Sequence, residues 1–427
     1  MLTARRRWLV ACGSWVSCGV LVGGCAGLFS GGGARRAPTS AGLVARPSRP
    51  VQPVAAAVAR ISAGGFAGYA LLRDGHVWAW GDDLEGQVGR AGLWGLSPTP
   101  VEVPDIANVV AVAGGANAVY ALQRGGTVWA WGDDANYELG DSRGRARQRP
   151  VRVQVPGGIV SVAAGMLSAY ALRDDGMVWG WGENSVGQLG TAGAYVASAT
   201  PRPVEGLSGV VAIAAGAGNG YALRRDGTVW AWGDDNFGQL GEGGCSAAQM
   251  TGPDGSRCPA VGVPVRIRGL SDVKAIAAGA NTAYALRRDG TMWAWGDNSF
   301  GALGTGTGRA FVKRPVRVGL AHVAAIGAGS DTAYAVMPDG TLRAWGRGVD
   351  GELGNGSHAD EAVPTPVLGL SGVVQVAGGG AMAYALDRRG RLWAWGSGFY
   401  GQLGNGRRLS TARPTLVLRL STPAAAL

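Results

Sequence analysis

From residue 54 onward, short apolar runs alternate with polar turns that are rich in Gly and Asp. One unit shows the pattern in full: apolar runs at 210–214 and 220–224 precede alternating residues at 228–233 and an extended segment at 264–267. Short apolar or alternating runs bounded by Gly, Pro and Asp are typical of β-strands. The unit therefore predicts four successive antiparallel strands.

The turn between the second and third strands of this unit is Asp226 and Gly227. Both residue types accept positive φ, so the pair predicts a two-residue type I′ hairpin. In the third strand, Trp230 and Trp232 are two residues apart. Since successive side chains of a strand point to opposite faces, both indoles are expected on one face.

The same unit recurs along the chain, and self-similarity of this kind indicates a repeat architecture. A Trp-Gly pair places its Trp at Trp80, Trp131, Trp181, Trp232, Trp295, Trp345 and Trp395, with spacings of 51, 50, 51, 63, 50 and 50 residues. A Tyr-Ala pair places its Tyr at Tyr69, Tyr120, Tyr170, Tyr221, Tyr284, Tyr334 and Tyr384. The aromatic residues therefore serve the architecture first.

Seven copies of about 50 residues, each with four strands, predict an all-β protein, a seven-bladed β-propeller over residues 54–420. A single copy cannot bury both faces of its sheet, so neighbouring sheets must pack around a central axis. Extra strand material lies at both ends, at 54–62 and 414–418, and we expect the two pieces to complete one blade and close the ring. Residues 421–427 are assigned as a C-terminal tail.

Composition agrees with this fold. Gly accounts for 76 of 427 residues, which opposes a mainly helical protein because Gly in a helix interior costs about 0.5–1 kcal/mol relative to Ala. The hydrophobic share of 47% and the 16 Trp exclude general disorder. No Gly-X-Y period is present, so a collagen-like structure is excluded as well.

The N-terminus has the pattern of an export signal. Residues 1–7 are basic, and 8–24 form a run of 17 residues without a charge that contains four Gly. Val22-Gly23-Gly24-Cys25 resembles the lipobox of bacterial lipoproteins, in which the Cys is lipidated. Residues 1–24 are therefore predicted to be a lipoprotein-type signal peptide, and Cys25 is predicted to be the lipidation site. The mature lipoprotein is expected in the outer membrane or at the cell surface. An ordinary cleaved signal, which would give a secreted protein, and an uncleaved anchor are the alternatives.

Residues 25–53 are rich in Gly, Ser, Pro and Arg and are predicted to form a flexible tether. The propeller region contains one Cys pair, Cys245 and Cys258, at the ends of an insert in the fourth copy. An oxidising compartment would permit a disulfide between them. Two free thiols are the alternative.

The string YALRRDGTVWAWGDDNFGQLG at 221–241 and its six relatives resemble the regulator of chromosome condensation repeat, over about residues 54–420. Arg343, Gly125 and Arg389 depart from the pattern in single copies. The resemblance implies a seven-bladed propeller. It also implies two precedents for function, since the family includes a nuclear guanine-nucleotide exchange factor that binds chromatin and an exported bacterial inhibitor of β-lactamase.

Signals for catalysis are weak. The three His residues, His76, His322 and His358, lack the spacing of a metal site or of a catalytic triad. Paired Asp residues follow three of the Trp-Gly pairs and are interpreted as turn formers, because they lack the alternating oxygen ligands of a calcium loop. The net charge of +10 is not clustered, which argues against nucleic acid as a partner. We expect no catalytic residue, metal or cofactor.

Specific function should lie where the copies differ. Trp94, Tyr195 and Phe311 are extra aromatic residues in the connections before the fourth strand, and Arg145 and Arg147 alternate through an Arg-rich loop. Aromatic residues and Arg are enriched at binding hot spots. Packing of each aromatic ring under its own loop, and a solvated Arg-rich loop, are the alternative interpretations.

These observations predict an exported, lipid-anchored, monomeric propeller that binds another protein of the envelope or the extracellular space through its loop faces, with a cell-surface polymer as the alternative ligand. The alternative is a guanine-nucleotide exchange factor for a small GTPase. A propeller hydrolase or lyase is a third hypothesis, and it requires acidic or His side chains that converge on the central channel.

Overall fold

The computed structural model describes residues 58–92, 95–193, 195–243, 260–418 and 420. The predicted signal peptide, tether and C-terminal tail lie outside these residues, as do Cys25, Trp94, Cys245 and Cys258. The described part of the chain folds into strands and turns, and it contains no helix that is long and apolar enough to span a membrane.

The described residues form 28 strands in seven four-stranded antiparallel sheets, each made of four consecutive strands. The first four sheets contain β1 Val58–Ala63, β2 Ala67–Leu72, β3 Val77–Asp83 and β4 Gly95–Glu102; β5 Val109–Gly114, β6 Ala118–Gln123, β7 Val128–Gly132 and β8 Arg147–Arg152; β9 Ile159–Ala164, β10 Ser168–Arg173, β11 Val178–Gly182 and β12 Ser198–Pro203; β13 Val210–Ala215, β14 Asn219–Arg224, β15 Val229–Gly233 and β16 Val261–Arg266. The remaining three contain β17 Val273–Ala278, β18 Thr282–Arg287, β19 Met292–Asp297 and β20 Phe311–Arg317; β21 Ala325–Ala328, β22 Thr332–Val336, β23 Leu342–Gly346 and β24 Glu361–Pro366; β25 Val373–Gly378, β26 Met382–Asp387, β27 Leu392–Gly396 and β28 Thr411–Leu416. The seven-bladed β-propeller is confirmed. The first three strands of the fourth blade match their predicted positions to within one residue, and the fourth, predicted at 264–267, begins three residues earlier.

The first strand of every blade lies innermost. Each of these strands contacts the first strands of the two neighbouring blades, and β1 contacts both β5 and β25. Their sequences consist mainly of Ala, Val, Ile and Gly, and such small residues allow seven strands to converge around one axis.

The expected mode of ring closure was wrong. The strand at the start of the chain, β1, belongs to the first sheet, and the strand at its end, β28, belongs to the seventh. Each repeat supplies all four strands of its own blade, so the ring closes by packing of complete blades. The Gln375 side chain in β25 accepts from the Ile61 N–H at 3.2 Å and donates to the Ile61 carbonyl at 2.9 Å.

The predicted type I′ hairpin was also wrong in its turn type. Of Asp226 and Gly227, only Gly227 has a positive φ, at 78°. The Gly227 N–H donates to the Arg224 carbonyl at 2.9 Å, and the Arg224 N–H donates to the Thr228 carbonyl at 2.9 Å. This is a three-residue loop in which a type I turn is followed by a left-handed Gly. The Asp226 carboxylate accepts from the Thr228 N–H at 3.0 Å and stabilises the turn from within.

The core lies between the blades rather than inside them. A Trp from the third strand of one blade packs against the preceding blade, and Trp232 and the half-buried Trp230 share one interface with Tyr170, as the period-two pattern predicts. Six Tyr–Trp pairs from adjacent blades meet edge to face with centroids 5.5–6.5 Å apart. This arrangement adds about 0.5–1.5 kcal/mol per pair to the gain from burial.

One backbone carbonyl per blade joins the blade to the next one. It accepts from the Tyr hydroxyl of its own blade and from the indole N–H of the following blade. The indole bonds run from Trp131 to Gln87, Trp181 to Glu138, Trp232 to Gln188, Trp295 to Gln239, Trp345 to Ala302, Trp395 to Glu352 and Trp80 to Gln402, at 2.7–2.9 Å. The Trp and Tyr of the repeat therefore fix the loops that carry these carbonyls.

Candidate interaction face

All loops between third and fourth strands emerge on one side of the ring, because every blade runs through its strands in the same order. We call this side, together with the turns between first and second strands, the loop face. Its described loop segments are 84–92, 133–146, 183–193, 195–197, 234–243, 260, 298–310, 347–360 and 397–410. The predicted binding residues that the structure describes, Arg145, Arg147, Tyr195 and Phe311, lie in these segments or at the first residue of the strand that follows.

In blades one to five, the side chain of the second residue after the Trp-Gly pair accepts a backbone N–H within the loop, whereas blades six and seven have Gly there. The carboxylates of Asp83, Asp134 and Asp235 accept the backbone N–H five residues later, at 2.8–2.9 Å. The interpretation of the Asp pairs as turn formers is confirmed for these carboxylates. In blade two, the second oxygen of Asp134 also accepts from the Arg145 N–H at 2.8 Å.

The predicted Arg residues of blade two have different surroundings. Arg147 is half-buried, and its guanidinium donates to Asp141 at 3.0 Å, where the Asp141 side chain is only 7% exposed. The side chain of Arg145 is exposed on the loop. The charge of Arg147 is thus balanced within the fold, and Arg145 remains available on the surface.

The predicted aromatic residues lie on other blades. Tyr195 of blade three is 44% exposed, its ring lies against Gly262 of the next blade, and its hydroxyl donates to the Ala260 carbonyl at 3.5 Å. Phe311 of blade five is half-buried, with the Lys313 ammonium 5.6 Å from its ring centroid. The structure therefore places Arg145, Tyr195 and Phe311 on one face, but on three different blades.

A cluster that the sequence reasoning missed lies where the last blade meets the first. Phe66 and Tyr400 are 39% and 37% exposed, and their ring centroids are 5.1 Å apart. The adjacent Phe399 is 59% exposed, and Leu409, whose backbone lies against Gly398, is 69% exposed. We call Phe66, Phe399, Tyr400 and Leu409 the seam patch.

Two exposed Arg residues border the seam patch. Arg407 and Arg408 precede Leu409 in the same loop, and the Arg408 Nε donates to the Phe399 carbonyl at 2.9 Å. Within the described residues, neither side chain forms an ion pair with a carboxylate. The patch thus combines exposed aromatic rings with uncompensated positive charge.

The seam patch arises where the repeat departs from its own pattern. Phe66 occupies the turn position that holds Asn117 and Asn281 in blades two and five, and Phe399 occupies the loop position of Ser185 and Ser299 in blades three and five. A comparison of the copies position by position would have shown both departures. The exposure of the Phe66 and Phe399 side chains could be seen only in the closed propeller.

Blades one to five of the loop face carry an acidic residue directly after Trp-Gly. These residues are Asp82, Asp133, Glu183, Asp234 and Asp297, and the same position holds Arg347 in blade six and Ser397 in blade seven. Burial raises the pKa of Asp82 above its ordinary value. Blades one to five of the loop face are therefore acidic at this position, whereas blades six and seven are not.

The hypothesis of a propeller hydrolase or lyase requires acidic or His side chains at the central channel. The innermost strands of the described residues contain no Asp, Glu or His, so the acidic or His side chains that this hypothesis requires are not found there. His76 instead lies away from the channel, where its Nδ1 is 2.6 Å from the Oε1 of Glu102 in the outer strand of blade one. Among the described residues, no group of three or more His, Cys, Asp or Glu is arranged to hold a metal ion.

This architecture places the protein in the class of seven-bladed propellers. Comparison with known proteins agrees with this class. A model of the RCC1-like domain matches residues 198–426. Models of the regulator of chromosome condensation (RCC1) repeat match residues 58–87 and 159–188, and residues 74–122 and 125–172. The chain belongs to the RCC1-like family.

Curated relatives include the E3 ubiquitin-protein ligase HERC2 of Mus musculus, which is 30% identical over 302 residues. The alignment covers 69% of this chain and 6% of HERC2, so the chain spans a small part of that relative. The ultraviolet-B receptor UVR8 of Arabidopsis thaliana is 28% identical over 293 residues, which cover 58% of this chain and 66% of UVR8.

The solved structures that are similar over most of the chain include Prp20p and WBSCR16. Prp20p from Saccharomyces cerevisiae, described with its binding properties to Gsp1p and histones, has a TM-score of 0.67 and 26% identity, and the match covers 77% of this chain and 83% of Prp20p. Human WBSCR16 has a TM-score of 0.71 and 23% identity over 81% of this chain and 94% of WBSCR16. The second likeness concerns the fold alone.

Proposed function

We propose that this chain is a protein-binding module that contacts its partner through the loop face. The observation that carries the proposal is the seam patch, in which Phe66, Phe399 and Tyr400 are exposed beside Arg407 and Arg408. Aromatic residues and Arg are enriched in the cores of protein interfaces. Because packed blades hold the loops in place, little conformational entropy would be lost on binding.

The relationship to Prp20p supports the same proposal, since that protein is described as binding Gsp1p and histones. We transfer only the general role, the binding of a protein by an RCC1-like propeller. Binding of this kind requires no cofactor and no catalytic residue of this chain.

Site-specific photocrosslinking in the native host tests the proposed face. A photoreactive amino acid is placed at Phe399 and, as a matched control, at Ser185, which is exposed at the same loop position of blade three. We expect a discrete crosslinked protein at position 399 and none at 185. The same adducts at both positions, or none at 399, would contradict the proposal.

We further propose that the protein is exported and anchored by a lipid at Cys25. The support is the basic segment 1–7, the uncharged run 8–24 and the small residues before Cys25. Intact mass and membrane fractionation of the native protein and of Cys25→Ala test this step. Cleavage before Cys25 with added acyl chains, lost in the variant, is the expected result, whereas an unprocessed soluble chain contradicts it.

Guanine-nucleotide exchange on a small GTPase is a second candidate, and the 26% identity to the Gsp1p-binding Prp20p favours it. The test is the release of labelled GDP from candidate GTPases with and without the purified protein. Stimulated release would support exchange activity. Release at the intrinsic rate with every GTPase of the host would contradict it.

A further inference from the structure

We infer that the seam patch binds an acidic segment of a partner protein and that this segment displaces the side chains that cover Gln402, so that one of its carboxylates accepts a hydrogen bond from the Gln402 amide. The inference rests on the proposed function and adds the chemistry of the partner. Three observations carry it: an amide without an acceptor, exposed rings beside that amide, and positive charge at the edge of the patch.

The sixth residue of the loop after Trp-Gly has a defined role in blades one and four. The Gln87 Oε1 accepts from the Glu85 N–H at 2.9 Å, and its Nε2 faces Asp82 at 3.4 Å and Asn117 of the next blade at 3.3 Å. Gln239 makes the corresponding contacts with Phe237, Asp234 and Asn281. In both blades the amide nitrogen thus lies between a carboxylate and an Asn.

Blade seven keeps the Gln but lacks both acceptors. The Gln402 Oε1 accepts from the Tyr400 N–H at 2.8 Å, so this side chain is held as in blades one and four. Ser397 and Phe66 occupy the positions of the carboxylate and the Asn, and the Nε2 of the fully buried Gln402 has no partner. A buried donor without an acceptor costs about 1–3 kcal/mol, and a ligand carboxylate that displaced the covering side chains would remove this cost.

The surroundings of the amide select an acidic ligand with an apolar side chain. Phe399 and the Phe66–Tyr400 pair offer exposed ring surface, and Arg407 and Arg408 have no carboxylate partner among the described residues. The chain's own segment 25–53 does not fit this site, because it contains four Arg and no Asp or Glu. The complementary occupant is therefore an acidic segment of another protein.

The probe for the test is the fluorescein-labelled peptide Gly-Asp-Glu-Phe-Asp-Glu-Gly, and the readout is fluorescence anisotropy with the full-length protein. We expect saturable binding that weakens as the salt concentration rises, because the Arg side chains act through exposed charge. The same peptide with Lys in place of every Asp and Glu should not bind. Equal binding of both peptides, or no binding of the acidic peptide, would overturn the inference.

Variants that carry single substitutions in the seam patch and its surroundings test the contributions of the aromatic rings, the positive charge and the Gln402 amide one at a time. Phe399→Ser and Arg407→Ser introduce the residues of the equivalent loop positions in blades three and six, and each should weaken binding at least tenfold. Ser397→Asn supplies Gln402 with an internal acceptor without adding charge, so it should raise thermal stability and also weaken binding tenfold. Phe300→Ser is the control, because Phe300 is 38% exposed at the loop position of Tyr400 in blade five. Equal binding by all four variants would overturn the inference.

Two further outcomes are distinguishable. A crosslinked partner at position 399 combined with failure of the acidic peptide would leave the proposed function standing and reject the acidic segment. Concentration-dependent dimerisation in analytical ultracentrifugation that Phe399→Ser abolishes would assign the patch to a second copy of the chain, which also rejects the acidic segment.

Discussion

The indole Nε1 of Trp80 donates a hydrogen bond to the carbonyl oxygen of Gln402 at 2.9 Å, across 322 residues of sequence. The same carbonyl accepts from the hydroxyl of Tyr384. At the other six interfaces, an indole of one blade bonds to the equivalent carbonyl of the preceding blade. The ring is therefore closed by the contact that joins every other pair of blades.

Replacement of Trp80 by Phe tests this closure. The variant loses the donor to Gln402 and leaves a void in a fully buried site, so we expect a loss of about 2–3 kcal/mol in the free energy of unfolding. Trp232→Phe, at an interface inside the repeat series, should cost a similar amount. Urea denaturation monitored by circular dichroism measures both, and a Trp80→Phe protein as stable as the wild type would contradict the closure contact.

The Gly of each Trp-Gly pair is required by space as well as by φ. Gly233 has φ of 103°, and a Cβ there would lie 2.1 Å from the Gly218 carbonyl oxygen. Gly233→Ala should lower the stability by more than about 2 kcal/mol, because the backbone must shift. Gly319→Ala is the control, since Gly319 is exposed and nothing lies within 4 Å of its added Cβ. A similar thermal midpoint for both variants would contradict this explanation.

Stability should depend on pH through Glu138. Burial raises the pKa of this carboxyl from 4.5 to about 7, because desolvation disfavours its charged form. The folded protein therefore holds the proton more tightly than the unfolded chain does. This contribution to stability is complete below pH 4.5 and is lost as the pH rises through about 7.

Glu138→Gln removes this dependence and introduces the residue that blades one, three, four and seven have at the same position. We expect a gain on the order of 2 kcal/mol at pH 8.5 and a difference below about 0.5 kcal/mol at pH 4. Urea denaturation at several pH values measures the difference. A gain of equal size at both pH values would show that ionisation of Glu138 is not its cause.

Substitution of the two predicted Arg residues of blade two should affect the stability of the protein to different extents. Arg147→Ala leaves the buried Asp141 carboxylate without its ion pair, so we expect a loss of about 1–2 kcal/mol. Arg145→Ala removes an exposed side chain and should change the stability by less than about 0.5 kcal/mol. Thermal unfolding checks both values, and equal losses would contradict the assignment of Arg147 to the fold.

Much of the fold could be predicted from the sequence because the determining signals are local. Period-two alternation, Gly and Asp at the turns and the spacing of Trp gave the strands of the fourth blade and the number of blades. The turn at Asp226 and Gly227 was assigned to the wrong type, because Asp-Gly is compatible with both loop lengths. Pairing of the Arg224 N–H with the Thr228 carbonyl decides between them.

The candidate site was less accessible to sequence reasoning. Tyr195 and Phe311 were chosen as extra aromatic residues, and both lie on the loop face, on blades three and five. Phe66 departs from the Asn of two other copies, Tyr400 stands at a position that is also aromatic in blades four and five, and neither was among the predicted binding residues. Their contact depends on which blade follows the seventh.

The sequence by itself determined the number of blades and the order of strands within each blade, because alternation and turn chemistry act between residues close in the chain. Tertiary structure decided how the ring closes and where the exposed aromatic side chains of the seam patch lie on the loop face. Ring closure places Phe66, near the start of the described chain, against Tyr400, near its end, and it leaves the Gln402 amide without an acceptor. Those properties depend on contacts between distant residues, which a local pattern does not contain.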